Sequence, residues 1–147
     1  MMDTIPFRGI KFNFRNLRKY PDEGAEIIRY LKELKPVLEE YLRDKEILLK
    51  MQDKLLGSDN YVFVLITQDI VEKPEGTLLG CIGSHKITEN LIIELRVVPN
   101  DKIKNLYLLK TFVHEIFHLF FETEEEVRHR TDEFLEIYSE LIKKLLV

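Results

Sequence analysis

Apolar residues along the chain follow three regimes of spacing, and each predicts a different kind of element. Ile10-Lys11-Phe12-Asn13-Phe14 alternates and predicts a short strand at the edge of a sheet. It lies in an opening segment rich in cations and aromatics, with Phe7, Arg8, Lys11, Phe12, Phe14, Arg15, Arg18, Lys19 and Tyr20. From Pro21-Asp22 to Leu56 the period turns helical: Ile27, Leu31, Leu34, Leu38, Tyr41, Leu48 and Leu55 recur at steps of three, four or seven, with charges between them. Proline is tolerated in the first turn of a helix and kinks its interior, so Pro36 divides this stretch into two helices, near 22–35 and 36–56, closed by Gly57.

Strand patterns occupy residues 61–98. Tyr61 to Ile70 is apolar on both faces, as in a central strand. Pro74-Glu75-Gly76 signals a turn, and Thr77 to Ile82 is short and interrupted by Gly80. Leu91 to Val98 alternates, with Leu91, Ile93, Leu95 and Val97 on one face and Glu94 and Arg96 on the other. The gaps between these runs are too short for helical crossovers, so a sheet of three or four mostly antiparallel strands is expected.

Helical spacing returns after Pro99-Asn100-Asp101. A helix over 102–121 carries Leu106, Leu109, Val113, Ile116 and Phe120 inward. A second, over 124–146, carries Val127, Thr131, Phe134, Tyr138, Leu141 and Leu145. Thr123, three residues before Glu126, reads as the N-cap of a capping box. With only Glu122-Thr123 between them, the two helices must form a tight antiparallel hairpin. The expected fold is α+β in one domain, 1–147: N-terminal helices (22–56), a small mostly antiparallel sheet (61–98) and the C-terminal helix hairpin (102–146).

Composition narrows the function. The 147 residues suit a single domain with a substantial core. One cysteine, Cys81, excludes a disulfide framework or a multi-cysteine zinc site within the chain. With 22 basic against 26 acidic residues, the formal charge of −4 provides no global field for nucleic acid. No apolar run approaches the roughly 18 residues of a membrane span, and the start lacks a basic region followed by an apolar one. A soluble cytoplasmic protein is expected, with no nucleic-acid or membrane partner.

Chemistry concentrates in one motif. Residues 114–118 read His-Glu-Ile-Phe-His, the H-E-x-x-H pattern. A spacing of four puts both imidazoles on one helical face, one turn apart, where they can grip a single ion. Glu115 lies beside that face, within reach of a metal-bound water as general base. The histidines fall next to Val113 and Phe121, at the margin of the apolar stripe, where two half-buried imidazoles need a shared partner.

Zinc in catalytic sites takes three protein ligands and a water, so the second helix should supply the third. Glu124, Glu125, Glu126, His129, Asp132 and Glu133 are the candidates. On a helical wheel Glu124 falls about 60° from Val127 and close to the turn. A carboxylate facing a helix seam is costly unless it is paired or metal-bound, which favours Glu124 as the ligand. A helix boundary shifted by one or two residues would bring Glu126 or His129 inward instead.

The run from Leu109 to His118, followed by Glu124-Glu125-Glu126-Val127, resembles a small zincin metallopeptidase. It is similar to the gluzincin side, to phage-type and archaeal mini-peptidases, and more loosely to the ImmA/IrrE-like family. Leu79-Gly80 and Leu91-Ile92-Ile93-Glu94-Leu95 resemble the strands that precede the active helix in such proteins. The resemblance covers residues 77–147 and departs from the family's pattern at Arg128, where an aspartate is usual. It implies zinc-dependent peptide-bond hydrolysis, with zinc on His114, His118 and a following glutamate, and Glu115 as general base. The substrate would be a peptide or protein, extended along a sheet edge formed by Leu91 to Val98 or by the strand before it. Tyr107, His85, His129 and Tyr138 are the candidate oxyanion donors.

Two other classes compete. A non-catalytic metal-binding or regulatory module would keep the histidines and act through partners. An acyltransferase is suggested by Glu94-Leu95-Arg96-Val97-Val98-Pro99 before a helix, but the residues from Asn100 to Asn105 lack the glycine that a pyrophosphate loop requires.

Overall fold

The computed structural model describes residues 4–7, 10–15, 21–43, 61–67, 71–73, 76–78, 80–84, 91–96, 102–121 and 123–146. Alternation in Ile10–Phe14 and the two-faced apolar run of Tyr61–Thr67 build the centre of a five-stranded sheet. In chain order its strands are β1 (Thr4–Phe7), β2 (Ile10–Arg15), β3 (Tyr61–Thr67), β6 (Gly80–Ser84) and β7 (Leu91–Arg96). Their spatial order among the described residues is β1-β2-β3-β7-β6, and a separate hairpin pairs β4 (Val71–Lys73) with β5 (Gly76–Leu78). Among the described residues four helices complete the fold: α1 (Pro21–Leu42), α2 (Lys102–Phe117), α3 (Glu124–Ile137) and α4 (Ser139–Leu145). The architecture is α+β, with the helix hairpin at the C-terminal end. Among the described residues no helix is long and apolar enough to cross a membrane.

The sheet is mixed. β1 and β2 run antiparallel, as do β6 and β7, but β3 lies parallel to both its neighbours. A parallel neighbour needs a return connection, and α1 lies in the one between β2 and β3. Between β3 and β7 the hairpin and β6 occupy the return, so parallel pairing arises without the helical crossover assumed from the sequence. Val64 stands at the centre, paired with Phe14 on one side and Ile93 on the other, and is completely buried. β2 is therefore an inner strand, not the edge its alternation suggested; β1 takes that edge. β7 is likewise inside the sheet, which leaves β6, the strand before it, as the opposite edge among the described residues.

α1 is continuous from Pro21 to Leu42 with Pro36 inside it, so the expected break does not occur. Pro36 removes one backbone donor, which leaves the Lys32 carbonyl unpaired in the helix. Both residues are on the exposed face, where water can satisfy that carbonyl. Ile27, Leu31, Leu34, Leu38 and Leu42, on the opposite face, bury on both sides of the proline and outweigh its cost. The expected helix beyond residue 43, with Leu48 and Leu55, lies outside the described residues.

Phe117 joins the helices. It stacks on Tyr41 of α1 at 5.6 Å and meets Phe134 of α3 edge-on at 5.7 Å. Such pairs add about 0.5–1.5 kcal/mol each beyond area burial. The Tyr41 hydroxyl donates to Glu133 Oε1 at 2.6 Å. Burial, helped by that acceptor, pushes its pKa up to about 12. On the sheet side, Phe112 of α2 meets Phe14 of β2 edge-on at 6.5 Å.

The final helical stretch is two helices rather than one. Tyr138 leaves helical geometry at φ −104°, ψ 29°, with its ring 4.9 Å from that of Phe134 and its hydroxyl 3.5 Å from Glu40 Oε2. The break directs Ile142 and Leu145 into the core, and Arg29 of α1 donates to the Leu145 carbonyl at 2.7 Å.

Because α1 is one helix, Pro36→Ala should restore its missing hydrogen bond. Denaturant unfolding should show a gain of about 1–3 kcal/mol, the helix gain less the lost restriction of the unfolded chain. A loss of stability would mean that the proline is required where it stands.

Candidate metal centre

The helix hairpin is set by its turn. His118 N–H still bonds the His114 carbonyl at 3.1 Å, so the four-residue register holds through the second histidine. Immediately afterwards the chain tightens: Leu119 and Phe120 bond the carbonyls three residues back, both at 3.0 Å. Thr123 then caps α3, its Oγ1 accepting from Glu126 N–H at 3.1 Å. The reciprocal half of the capping box is not formed among the described residues. What Glu126 contributes is its backbone.

This turn brings opposed residues of α2 and α3 together in rungs. At the first rung Glu124 faces the imidazoles: Oε1 is 2.9 Å from His114 Nε2 and Oε2 is 2.8 Å from His118 Nε2. The two Nε2 atoms are 3.1 Å apart. Two nitrogens bound tetrahedrally to one zinc ion at 2.0–2.1 Å would be about 3.3 Å apart, so the pair fits a shared ion with little movement. One turn along α3, Arg128 Nε lies 3.2 Å from Glu124 Oε1, the oxygen that also faces His114. Farther along, Lys110 pairs with Asp132 at 3.4 Å.

Glu115 occupies a different environment. It is only 5% exposed, and its carboxylate has an oxygen within 4.8 Å of a nitrogen of each histidine. Burial first, and the negative charge of Glu124 second, raise its pKa from 4.5 to about 7. His114 moves the other way. Burial lowers its pKa, Glu124 opposes that, and Arg128 and Lys110 reinforce it. A lowered pKa keeps the imidazole neutral, the form that can ligate a metal.

The sequence-derived candidates separate clearly. His114, Glu115, His118 and Glu124 come together. Glu125 and Glu126 are exposed and form no ion pair with either imidazole. His129 is exposed and turns toward Glu133 at 3.8 Å. Glu133 serves the Tyr41 hydroxyl, and Asp132 serves Lys110. The reason given for Glu124 needs correction: its side chain is 50% exposed, so no burial cost singles it out. Position does, since the short turn puts the first residue of α3 opposite the last turn of α2. Leu106, expected inside, is 43% exposed because it shares the face of Lys110, His114 and His118 at steps of four.

Among the oxyanion candidates, Tyr138 faces Glu40, and His85 and the Tyr107 side chain lie outside the described residues. Arg128 is the group beside the centre to which sequence reasoning assigned no role. Its signal was the four-residue step from Glu124, the spacing of an ion pair on one helix face.

Compared with known proteins, the chain matches no family model, no curated protein and no solved structure.

The raised Glu115 pKa makes metal-free stability depend on pH. Between 4.5 and about 7 the unfolded carboxyl is ionised while the folded one holds its proton, so stability falls as pH rises through that window. In chelator-treated protein, Glu115→Gln should remove this loss. Its stability advantage over the parent should grow by on the order of 1–3 kcal/mol from pH 5 to pH 8. Parallel pH profiles for the two proteins would show that Glu115 is not held protonated by the fold.

Proposed function

We propose that the chain is a zinc-dependent metallopeptidase of the small gluzincin kind, acting on peptide bonds in the cytoplasm. The observation that carries this reading is the convergence of His114 Nε2, His118 Nε2 and the Glu124 carboxylate, with separations of 2.8–3.1 Å. Two neutral imidazoles and one carboxylate are the donor set of a catalytic zinc site with one open position. Zinc held there would polarise a scissile carbonyl and bring the pKa of a water molecule toward 7.

The protein residues divide the remaining work. Glu124 meets both imidazoles at hydrogen-bond distance and is the third ligand. Glu115, adjacent in sequence to His114 and buried beside the pair, is the general base: it takes the proton of the attacking water and returns it to the leaving amine. β6 supports an extended substrate, because its outer side is unpaired among the described residues and α2 packs against it. β7 is paired on both sides and has no edge to offer.

Metal titration and a peptide-cleavage assay test the reading together. One zinc per chain should bind, and His114→Ala should abolish binding. Glu124→Ala should weaken affinity by about 10–100-fold or more, whereas Glu125→Ala and Glu126→Ala should leave it nearly unchanged. Glu115→Gln should keep the zinc and lose at least about 100-fold in turnover. A protein that binds zinc but shows no Glu115-dependent cleavage would be a metal-binding module rather than an enzyme.

A further inference from the structure

Two cations flank His114, and they are not equivalent. Lys110, one turn before it on α2, is held by Asp132 at 3.4 Å, a partner remote from the imidazoles. Arg128, across the hairpin, has Glu124 as its only polar partner among the described residues, through Nε alone. Its side chain is 73% exposed, so the guanidinium N–H groups that Glu124 does not take are open to solvent beside the centre. The oxygen that receives Arg128 is also the one 2.9 Å from His114 Nε2.

A divalent ion on the imidazoles therefore competes with Arg128 for a single carboxylate. When Glu124 gives its charge to the ion, the guanidinium keeps its position and loses most of its neutralisation. Lys110 keeps Asp132 and is unaffected. Loading the centre thus creates one under-neutralised, exposed, planar cation beside the reacting position. Guanidinium forks of this kind bind carboxylates through two parallel hydrogen bonds.

We propose that Arg128 is a specificity residue that anchors a substrate carboxylate close to the scissile bond. This rests on the zinc-peptidase reading and narrows its substrate class. The carboxylate belongs either to a free peptide C-terminus or to an acidic side chain next to the cleaved bond. Aspartate or glutamate at position 128 could not do this, and a lysine would supply charge without the fork.

Calorimetry on the full chain at saturating zinc tests the idea, with three small probes. N-acetyl-phenylalanine carries a terminal carboxylate, N-acetyl-aspartic α-amide a side-chain carboxylate, and N-acetyl-phenylalaninamide neither. At least one carboxylate probe should bind about tenfold or more tighter than the amide, and the tighter of the two identifies the source. In Arg128→Met that preference should fall to within about twofold, and Arg128→Lys should restore part of it. A preference that survives intact in Arg128→Met would place the carboxylate on the metal alone and overturn the proposal, as would equal binding of all three probes by the parent. Failure of the chain to take up zinc would instead remove the peptidase reading, and this inference with it.

Discussion

The register between α2 and α3 is the constraint on which the site depends. Phe117, the last residue of α2, is locked between Tyr41 and Phe134, and the chain then reverses within six residues to the Thr123 cap. With the helix ends pinned, the first residue of α3 must face the final turn of α2. The polar rungs follow from that one alignment. A shift of α3 by one residue would rotate it about 100° and turn Glu124 away from both imidazoles.

The aromatic clamp also explains how a polar centre coexists with a dry core one residue away. Phe117 and Ile116 are buried while His118 and His114 remain partly open, because the apolar and polar faces of α2 diverge at its end. Glu115 falls on the core side of that boundary. It is an ionisable group where the fold prefers a neutral one, and such conflicts between stability and chemistry concentrate at functional sites. Arg128 and Lys110 lie on the open side and bias His114 toward its neutral form.

Much of this was legible in the sequence, for identifiable reasons. H-E-x-x-H fixes its own geometry once a helix contains it, and Thr123 with Glu122 leaves little freedom for the turn. Periodicity located the helices but overstated the effect of Pro36, because it carries no information on whether a proline faces water or neighbours. The alternation in Ile10–Phe14 and Leu91–Val98 identified strands without saying which strands would lie beside them. Both proved to be interior, and parallel pairing with β3 was missed. Glu124 was singled out on three grounds: its place on the helical wheel, its proximity to the turn and the cost of a carboxylate at a helix seam. Proximity to the turn describes its placement, whereas the supposed burial does not. The Arg128–Glu124 pair is encoded within α3 by its four-residue step, whereas the approach of that carboxylate to the two imidazoles depends on an alignment between helices that neither helix encodes by itself.

X-ray absorption at the zinc edge of the metal-loaded protein tests the central claim most directly, since it reads the ligands without relying on turnover. The account predicts one zinc per chain with two imidazole nitrogens and the remaining positions filled by oxygen, all near 2.0–2.1 Å. A sulfur scatterer near 2.3 Å would bring Cys81 into the shell, and three or more imidazoles would bring in a further histidine. Either result would contradict a centre built from His114, His118 and Glu124.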